Sequence, residues 1–378
     1  MAKKFILIPD SFKGTMSSAE VCAIMRGQIA RFYPEAQTVS VPVADGGEGT
    51  VDAFLTALGG ERVPCRVAGP FGRPVDAYYG IVNGDTAVVE VASCAGLPLA
   101  DGRLDPRTAT TYGVGELVAH AVGRGCRKII VGLGGSCTND AGAGMAAALG
   151  TKFFDHGGAD FVPAGGTLKN VERVDCSEAG RFLEGVSVTA MCDIDNPLYG
   201  AEGAACVFAP QKGADEAMVV ELDEGLRHMA GVIRDCFGAD VSTMPGGGAA
   251  GGMGAGMKAF LGAELRPGIQ TVLDTVRFGE LLKGADLVFT GEGRLDSQSM
   301  RGKVVIGVAE RARGTGVPVV AVVGDAGEGA EQSYERGVTA VFPINRVAVP
   351  YEEAKLRSRA DLGRTVGDIL RLLRRTGF

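Results

Sequence analysis

Tryptophan is absent from this 378-residue chain, and histidine occurs only three times, at His120, His156 and His228. None of the three belongs to H-E-x-x-H or to another ligand-spaced cluster, so the common zinc-hydrolase arrangement is excluded. Any acid–base chemistry therefore falls to carboxylates or lysine. The nine cysteines are odd in number, scattered, and without a C-x-x-C pair. They read as reduced thiols, not as a disulfide framework or a zinc site. Positive charge is also short: 38 Lys and Arg against 45 Asp and Glu leave a net charge of −7, which removes the basic footprint of a nucleic-acid binder. No apolar stretch approaches membrane-spanning length, and the short apolar run Phe5–Pro9 is too brief for a signal peptide. The expectation is a cytoplasmic protein, monomer or homodimer, with no nucleic-acid or membrane partner.

What the chain has in excess is glycine, 59 residues, about twice ordinary usage and without a repeat period. Glycine on that scale implies tight turns and close backbone approaches. Hydrophobic residues at 46% and charged residues at 22% are those of an ordinary globular protein, and the length suits two domains.

The rest of the chain is organised around Lys128–Met145, KIIVGLGGSCTNDAGAGM. It begins as a buried strand of Ile129, Ile130, Val131 and Leu133. It then breaks at Gly132, Gly134 and Gly135, passes Ser136, Thr138, Asn139 and Asp140, and enters a small-residue helix from about Ala141 to Leu149. Such a strand–glycine–helix turn points unpaired N–H groups and a helix dipole at one spot, which suits phosphate or carboxylate. The competing reading is a tight turn whose hydroxyls only cap the helix.

Along the chain, strand Phe5–Pro9, a helix opened by the Ser17/Glu20 capping box, strand Thr38–Val43 and a helix through Leu58 give a βαβα start. Arg62–Ala68, Val75–Val82 and Thr86–Val91 read as strands, the last two joined by an Asn83-Gly84 hairpin signal. Helices are expected near Thr111–Val122 and at 215–237, with a strand at Val186–Met191 between them. From Ala285 strands and helices alternate again, which implies parallel sheet. The simplest architecture is α/β with two domains. The chain ends, 1–74 and 284–378, form one doubly wound domain, and 75–283 is inserted, with the active site in the cleft between them.

Five loops share one grammar of carboxylate with glycine, hydroxyl or amide: Asp10–Gly14, Asp45–Thr50, Gly134–Gly142, Asp193–Asn196 and Gly291–Asp296. Carboxylates repel phosphate unless a hard cation lies between them, and Mg²⁺ takes one or two carboxylates plus phosphate oxygens. That set suits phosphoryl transfer. Taken singly, an Asp just after a strand is as readily a helix cap or an Asx-turn. Gly246-x-Gly248-x-x-Gly251 matches the dinucleotide spacing but lacks a preceding strand. Gly302-Lys303 is not a Walker A loop, because Ser297 and Val304 stand where that loop needs Gly and Ser or Thr. Neither a G-x-S-x-G elbow nor the H-R-D and D-F-G kinase signatures are present.

The segments PDSFKGTMSS, VADGGEGT, GLGGSCTNDAGAGM, CDIDNPLYG, APQKGA, GGGAAGGMGAG with FLGAELRPGI, and TGEGRLDSQSMRGK resemble the signature segments of the bacterial glycerate kinase type I family. They stand in the family's order from Pro9 to about Gly307. Ala141 stands where family members often have Gly, and Cys137 where a small residue such as Ala is usual. The resemblance implies ATP- and Mg²⁺-dependent phosphorylation of D-glycerate, with 2-phosphoglycerate favoured over 3-phosphoglycerate as product. It also implies a flavodoxin-like domain made of both chain ends and an inserted mixed α/β domain.

Glycerate needs a clamp for its carboxylate, a group that orients its hydroxyls and a base. Lys13 is expected to act on the transferring phosphate, Asp193 as base or Mg²⁺ ligand oriented by Asp195 and Asn196, and Arg294 on the substrate carboxylate. Asp45 and Asp296 join Asp193 as metal candidates. Gly134, Gly135, Ser136, Thr138 and Asn139, with Glu292 and Lys303, are expected to hold anionic groups of ATP or glycerate. A Mg²⁺-dependent phosphatase or phosphosugar isomerase would use similar loops without ATP, and a sensor of small hydroxy acids would bind without turnover.

Overall fold

Strand β1 (Lys4–Pro9) is buried along its whole length after Lys4, as a strand covered on both faces of a parallel sheet must be. Helix Ser18–Phe32 follows. Its capping box is formed, with the Ser17 hydroxyl accepting from Glu20 N at 3.2 Å and the Glu20 carboxylate accepting from Ser17 N at 2.8 Å. Val21, Cys22, Met25 and Ile29 turn inward from it. Strand β2 (Gln37–Ser40) lies parallel to β1 and ends short of the expected Val43. The computed structural model describes residues 2–44 and 46–378, Arg301 by its backbone alone. It divides into two compact units, Met1–Ala44 with Thr56–Leu58 and Ile269–Phe378, and Asp45–Leu55 with Gly59–Gly268.

In the larger unit β3 (Glu61–Ala68), β4 (Pro74–Val82) and β5 (Thr86–Glu90) are antiparallel neighbours. Asn83 and Gly84 take φ of +52° and +82°, the paired left-handed conformation of a type I′ hairpin turn. β6 (Lys128–Gly132) runs parallel to β5. β7 (Lys152–Phe154), β8 (Asp160–Phe161) and β9 (Arg173–Asp175) form a small separate sheet. Strands of two or three residues are too short for alternation to reveal them in a sequence. β10 (Ser187–Met191) and β11 (Glu264–Arg266) complete a mixed sheet of order β11-β10-β6-β5-β4-β3. Tyr79, Leu117, Ile129, Val131 and Met253 share one core on it. Because β3 pairs along β4, this unit begins before the expected boundary at residue 75.

The chain then returns to the smaller unit with β12 (Leu287–Gly291), β13 (Arg294–Leu295), β14 (Val319–Val323), β15 (Asp325–Ala326) and β16 (Ala340–Pro343). This unit takes in residues ahead of 284: Arg311 on helix Val304–Ala312 reaches Asp274 and Gln270, each at 2.7 Å. Its main sheet has the order β16-β14-β12-β1-β2, all parallel. Counted within that sheet the order is 2-1-3-4-5, the flavodoxin-like doubly wound pattern, with its switch point between β1 and β12. The fold is thus α/β, a flavodoxin-like sheet built from both chain ends and an inserted mixed α/β domain.

Phe5 anchors the smaller core, its ring centroid 5.4 Å from Tyr33, 6.3 Å from Phe289 and 6.2 Å from Phe378. Phe289 is fully buried beside it. Phe289→Ala should destabilise the protein by roughly 3–5 kcal/mol in chemical unfolding. A loss below about 1 kcal/mol would show that this core collapses around the gap.

Candidate active site

In the smaller unit the site begins where β1 and β12 end side by side at the switch point. Asp10 N donates to Gly291 O at 2.7 Å, and the two chains then diverge into the Asp10–Gly14 and Gly291–Asp296 loops. Phe12 and Met16 are buried and exchange backbone hydrogen bonds at 2.8 and 3.0 Å. They pin a short loop with Lys13 exposed at its tip. Tyr351 Oη donates to Lys13 O at 3.3 Å and steadies that loop from behind.

Glu292 is 4% exposed, and among the described residues its Oε1 has no hydrogen-bond partner. Burial pushes its carboxyl up to about 7; Asp10 and Asp296 add to the rise, while a Ser299 hydrogen bond and the Lys303 charge oppose it. A carboxyl in that state is a poor phosphate ligand when ionised and a hydrogen-bond donor when protonated. A carboxyl with that pKa can exchange a proton near neutral pH. Asp296 accepts from Gln298 N at 2.9 Å and lies 3.4 Å from Arg294 Nε. Arg294 and Lys303 are exposed. Lys303 sits at the start of helix Val304–Ala312, whose first turn has no side-chain cap, so its N–H groups are available to an anion.

In the larger unit the glycines of the β6 loop have a direct steric reason. Gly134 N donates to Gly46 O at 2.9 Å. A Cβ on Gly132 would lie 2.4 Å from Gly46 O, and one on Gly134 2.6 Å from Gly47 Cα. The start of the next helix is held by Glu90, whose carboxylate accepts from Val51 N at 2.6 Å. The far side of the loop is strapped by Leu97 N to Gly135 O at 3.0 Å and Cys137 N to Ala95 O at 2.9 Å. So part of the expected N–H cradle is already used by the protein, and the polar groups left to a ligand concentrate at Ser136–Asn139.

Asp140 is fully buried and ties two helix starts together. Its carboxylate accepts from Thr111 N and Thr111 Oγ1 at 2.8 Å each, from Gly142 N at 3.1 Å and from Gly144 N at 3.3 Å. Burial raises its pKa, and those four hydrogen bonds oppose the rise. Ala141 follows at φ +53°, the left-handed region that favours glycine. Asn139 is fully buried, and neither atom of its amide has a partner among the described residues. Beneath the loop, Lys212 Nζ donates to Ser136 Oγ at 3.1 Å and Thr138 O at 2.7 Å.

The Gly246-x-Gly248-x-x-Gly251 spacing has a packing explanation. A Cβ on Gly248 would lie 2.4 Å from Pro197 O and one on Gly251 2.0 Å from Thr138 O, so these glycines meet the protein's own backbone. Asp193 is exposed, and its Oδ1 accepts from Gly268 N at 2.7 Å. Asn196 sends its amide to Glu202 O at 2.8 Å and so does not orient Asp193 as expected; the β11 side of the sheet does. Asp45 lies outside the described residues. Asp193 and Asp296 belong to different units. No group of three or more His, Cys, Asp or Glu is arranged to hold a metal among the described residues. Each of these carboxylates alone still suits Mg²⁺, which binds one or two together with phosphate oxygens.

Sequence reasoning gave no role to Lys212, to Glu90 or to the double cap of Asp140. In the sequence Lys212 shows only as part of APQKGA, one of the segments that carry the family resemblance.

The fold and its loops are those of a two-domain α/β enzyme that handles small anionic molecules. The chain belongs to the glycerate kinase family, whose sequence model matches residues 5–374. It is 44% identical to the glycerate kinase of Halalkalibacterium halodurans over 352 residues, 92% of each chain. It is likewise 44% identical to the glycerate 2-kinase of Escherichia coli over 343 residues, 90% of each chain. A crystal structure from Salmonella typhimurium LT2, assigned as a glycerate kinase 2, matches with a TM-score of 0.87 at 39% identity, covering 100% of this chain and 99% of that one. Among the described residues no helix is long and apolar enough to cross a membrane.

Glu292 makes stability depend on pH. Its folded pKa of about 7 stands above the ordinary 4.5, so the folded state holds a proton that the unfolded state has released. That contribution is present below the unfolded pKa and is lost as pH rises through about 7. Melting of wild type and Glu292→Gln at a series of pH values should show the difference moving in the variant's favour as pH rises through this window. A difference constant with pH would show that Glu292 stays ionised.

Proposed function

We propose that this protein transfers the γ-phosphoryl group of ATP to D-glycerate, with Mg²⁺, and releases 2-phosphoglycerate. The observation that carries the reading is the near full-length family match together with the relative named glycerate 2-kinase at 44% identity. In the reaction a glycerate hydroxyl oxygen attacks the γ-phosphorus. The bond from phosphorus to the β–γ bridging oxygen breaks, ADP leaves, and the hydroxyl proton passes to a base. Such a transfer asks the protein mainly for positioning and charge stabilisation.

The orphaned Asn139 amide and the loop around it suit an oxyanion, and the buried polar Ser136–Asn139 loop with Gly134 and Gly135 is assigned to anionic groups of the reactants. Lys13 is assigned to the moving phosphoryl group and Arg294 to the glycerate carboxylate. Lys303, with the uncapped helix start behind it, is assigned to nucleotide phosphates. Asp193 is the base or a metal ligand, and Glu292 is a second proton-holding group. Asp45, Asp193 and Asp296 are the residues that would hold Mg²⁺, which when bound neutralises phosphate charge.

Purified protein with D-glycerate, ATP and Mg²⁺ should feed enolase directly, without phosphoglycerate mutase. Product detected only as 3-phosphoglycerate would reverse the substrate's orientation. No ATP consumption would end the kinase reading. Lys13→Ala should lower kcat roughly a hundredfold or more while the fold persists; near wild-type kcat would remove Lys13 from the reaction. Asp193→Asn should lose about 10²- to 10⁴-fold in kcat and still bind ATP. Full activity in that variant would exclude Asp193 as base.

A further inference from the structure

Lys212 is 2% exposed. It closes the short 3₁₀ turn Pro210–Lys212, and Gly213 follows at φ +96°, where a Cβ would lie 2.5 Å from Leu104 O. The turn is therefore fixed, and so is the root of the lysine. An ammonium has three donors. Two reach Ser136 Oγ and Thr138 O, and the third finds no acceptor among the described residues. Lys212 forms no ion pair there either. Asp140 is near enough to act on it electrostatically, but its oxygens are engaged by Thr111, Gly142 and Gly144. One residue along from Thr138, the Asn139 amide is fully buried and unpartnered. A buried cation against the loop and an orphaned buried amide on it are costly unless something satisfies them, and an oxyanion answers their N–H donors, the third ammonium hydrogen and the Asn139 Nδ2.

We propose that Lys212 is the positioning residue of an oxyanion subsite at Ser136–Asn139: its charge and its grip on Ser136 and Thr138 hold that loop ready for a carboxylate or phosphate group. The group would come from the hydroxy acid or from the nucleotide, and in that respect the proposal rests on the reading above. Lys212 acts through the loop, its ammonium behind Ser136.

Burial lowers the Lys212 pKa to about 8, while Cys137 and Asp140, the titratable groups facing it, oppose that shift. Cys137 is itself pushed up to about 11 by burial and stays a neutral thiol when Lys212 titrates. The subsite is therefore charged below about 8 and neutral above it.

The test is equilibrium binding of D-glycerate, ATP and inorganic sulfate, each alone, from about pH 7 to 9.5, with wild type, Lys212→Arg and Lys212→Gln. Sulfate does not titrate in this range and probes the subsite independently of the kinase reading. In wild type, sulfate and one of the two reactants should lose roughly tenfold in affinity between one unit below and one unit above the lysine's pKa. The reactant that does so identifies the source of the anion. Lys212→Arg keeps its charge and should remove the alkaline fall. Lys212→Gln should bind the same ligands weakly and without pH dependence, while the other reactant's affinity is unchanged and reports that the fold is intact. Wild-type affinities that stay flat, or a fall that survives in Lys212→Gln, would overturn the proposal. If wild type bound neither glycerate nor ATP, the kinase reading would fail, and the sulfate series alone would decide for or against Lys212.

Discussion

The larger unit's functional loops depend on backbone meeting backbone with no side chain between. Gly132 and Gly134 lie against Gly46 and Gly47, and Gly251 lies against Thr138 O. Methyl groups at these places would stand 2.0 to 2.6 Å from main-chain atoms, distances that only a shift of the chain could relieve. What this packing achieves is a tightly packed loop whose polar groups are largely buried. Ser136, Thr138, Asn139 and Asp140 are all buried, and the long side chain of Lys212 gives up rotamer freedom to lie ordered against the loop. The cost is a set of buried donors, and the structure meets only part of it internally.

Burial then sets the electrostatics of both units in the same direction. It raises the Glu292 carboxyl to about 7 and lowers the Lys212 ammonium to about 8. Opposite charges are drawn toward neutrality by one cause, the low polarity around them. Asp140 shows the counterweight: it is equally buried, but four hydrogen bonds to two helix starts favour its charged form. Burial raises both carboxyls, but Asp140 is a structural cap with four donors opposing the rise, whereas Glu292 has few. The two differ in hydrogen-bond supply: among the described residues one Glu292 oxygen has no partner, and both Asp140 oxygens do.

Much of the fold was legible because its signals are local and strong. Ser17 with Glu20, Asn83-Gly84 and the continuous apolar strands each have a single cheap structural solution, and each is realised. The return of strand–helix alternation after Ala285 was enough to join the chain ends into one sheet. The three short strands between Lys152 and Asp175 were not legible, because two or three residues carry no period. The site divides the same way. Loops at strand ends could be found from composition, but partners across sequence distance could not. Nothing local says that Lys212 reaches Ser136, 76 residues away, or that Glu90 holds Val51. Asn196 was given to Asp193 by proximity in sequence, whereas the fold turns it to Glu202.

The dinucleotide-like spacing at Gly246–Gly251 sharpens the same point. A glycine motif reports only that something approaches the backbone closely, and here that something is Pro197 O and Thr138 O. The motif is spent on shaping the Ser136–Asn139 loop from outside, so its chemistry is one step removed from any ligand. The residues proposed above for phosphoryl transfer fall in both units. The smaller has the cations Lys13, Arg294 and Lys303 with the proton-holding Glu292. The larger has the buried Ser136–Asn139 loop, Lys212 and the exposed Asp193. A spacing motif alone therefore names no function, because it does not say whether the close approach is made by a ligand or by the chain itself.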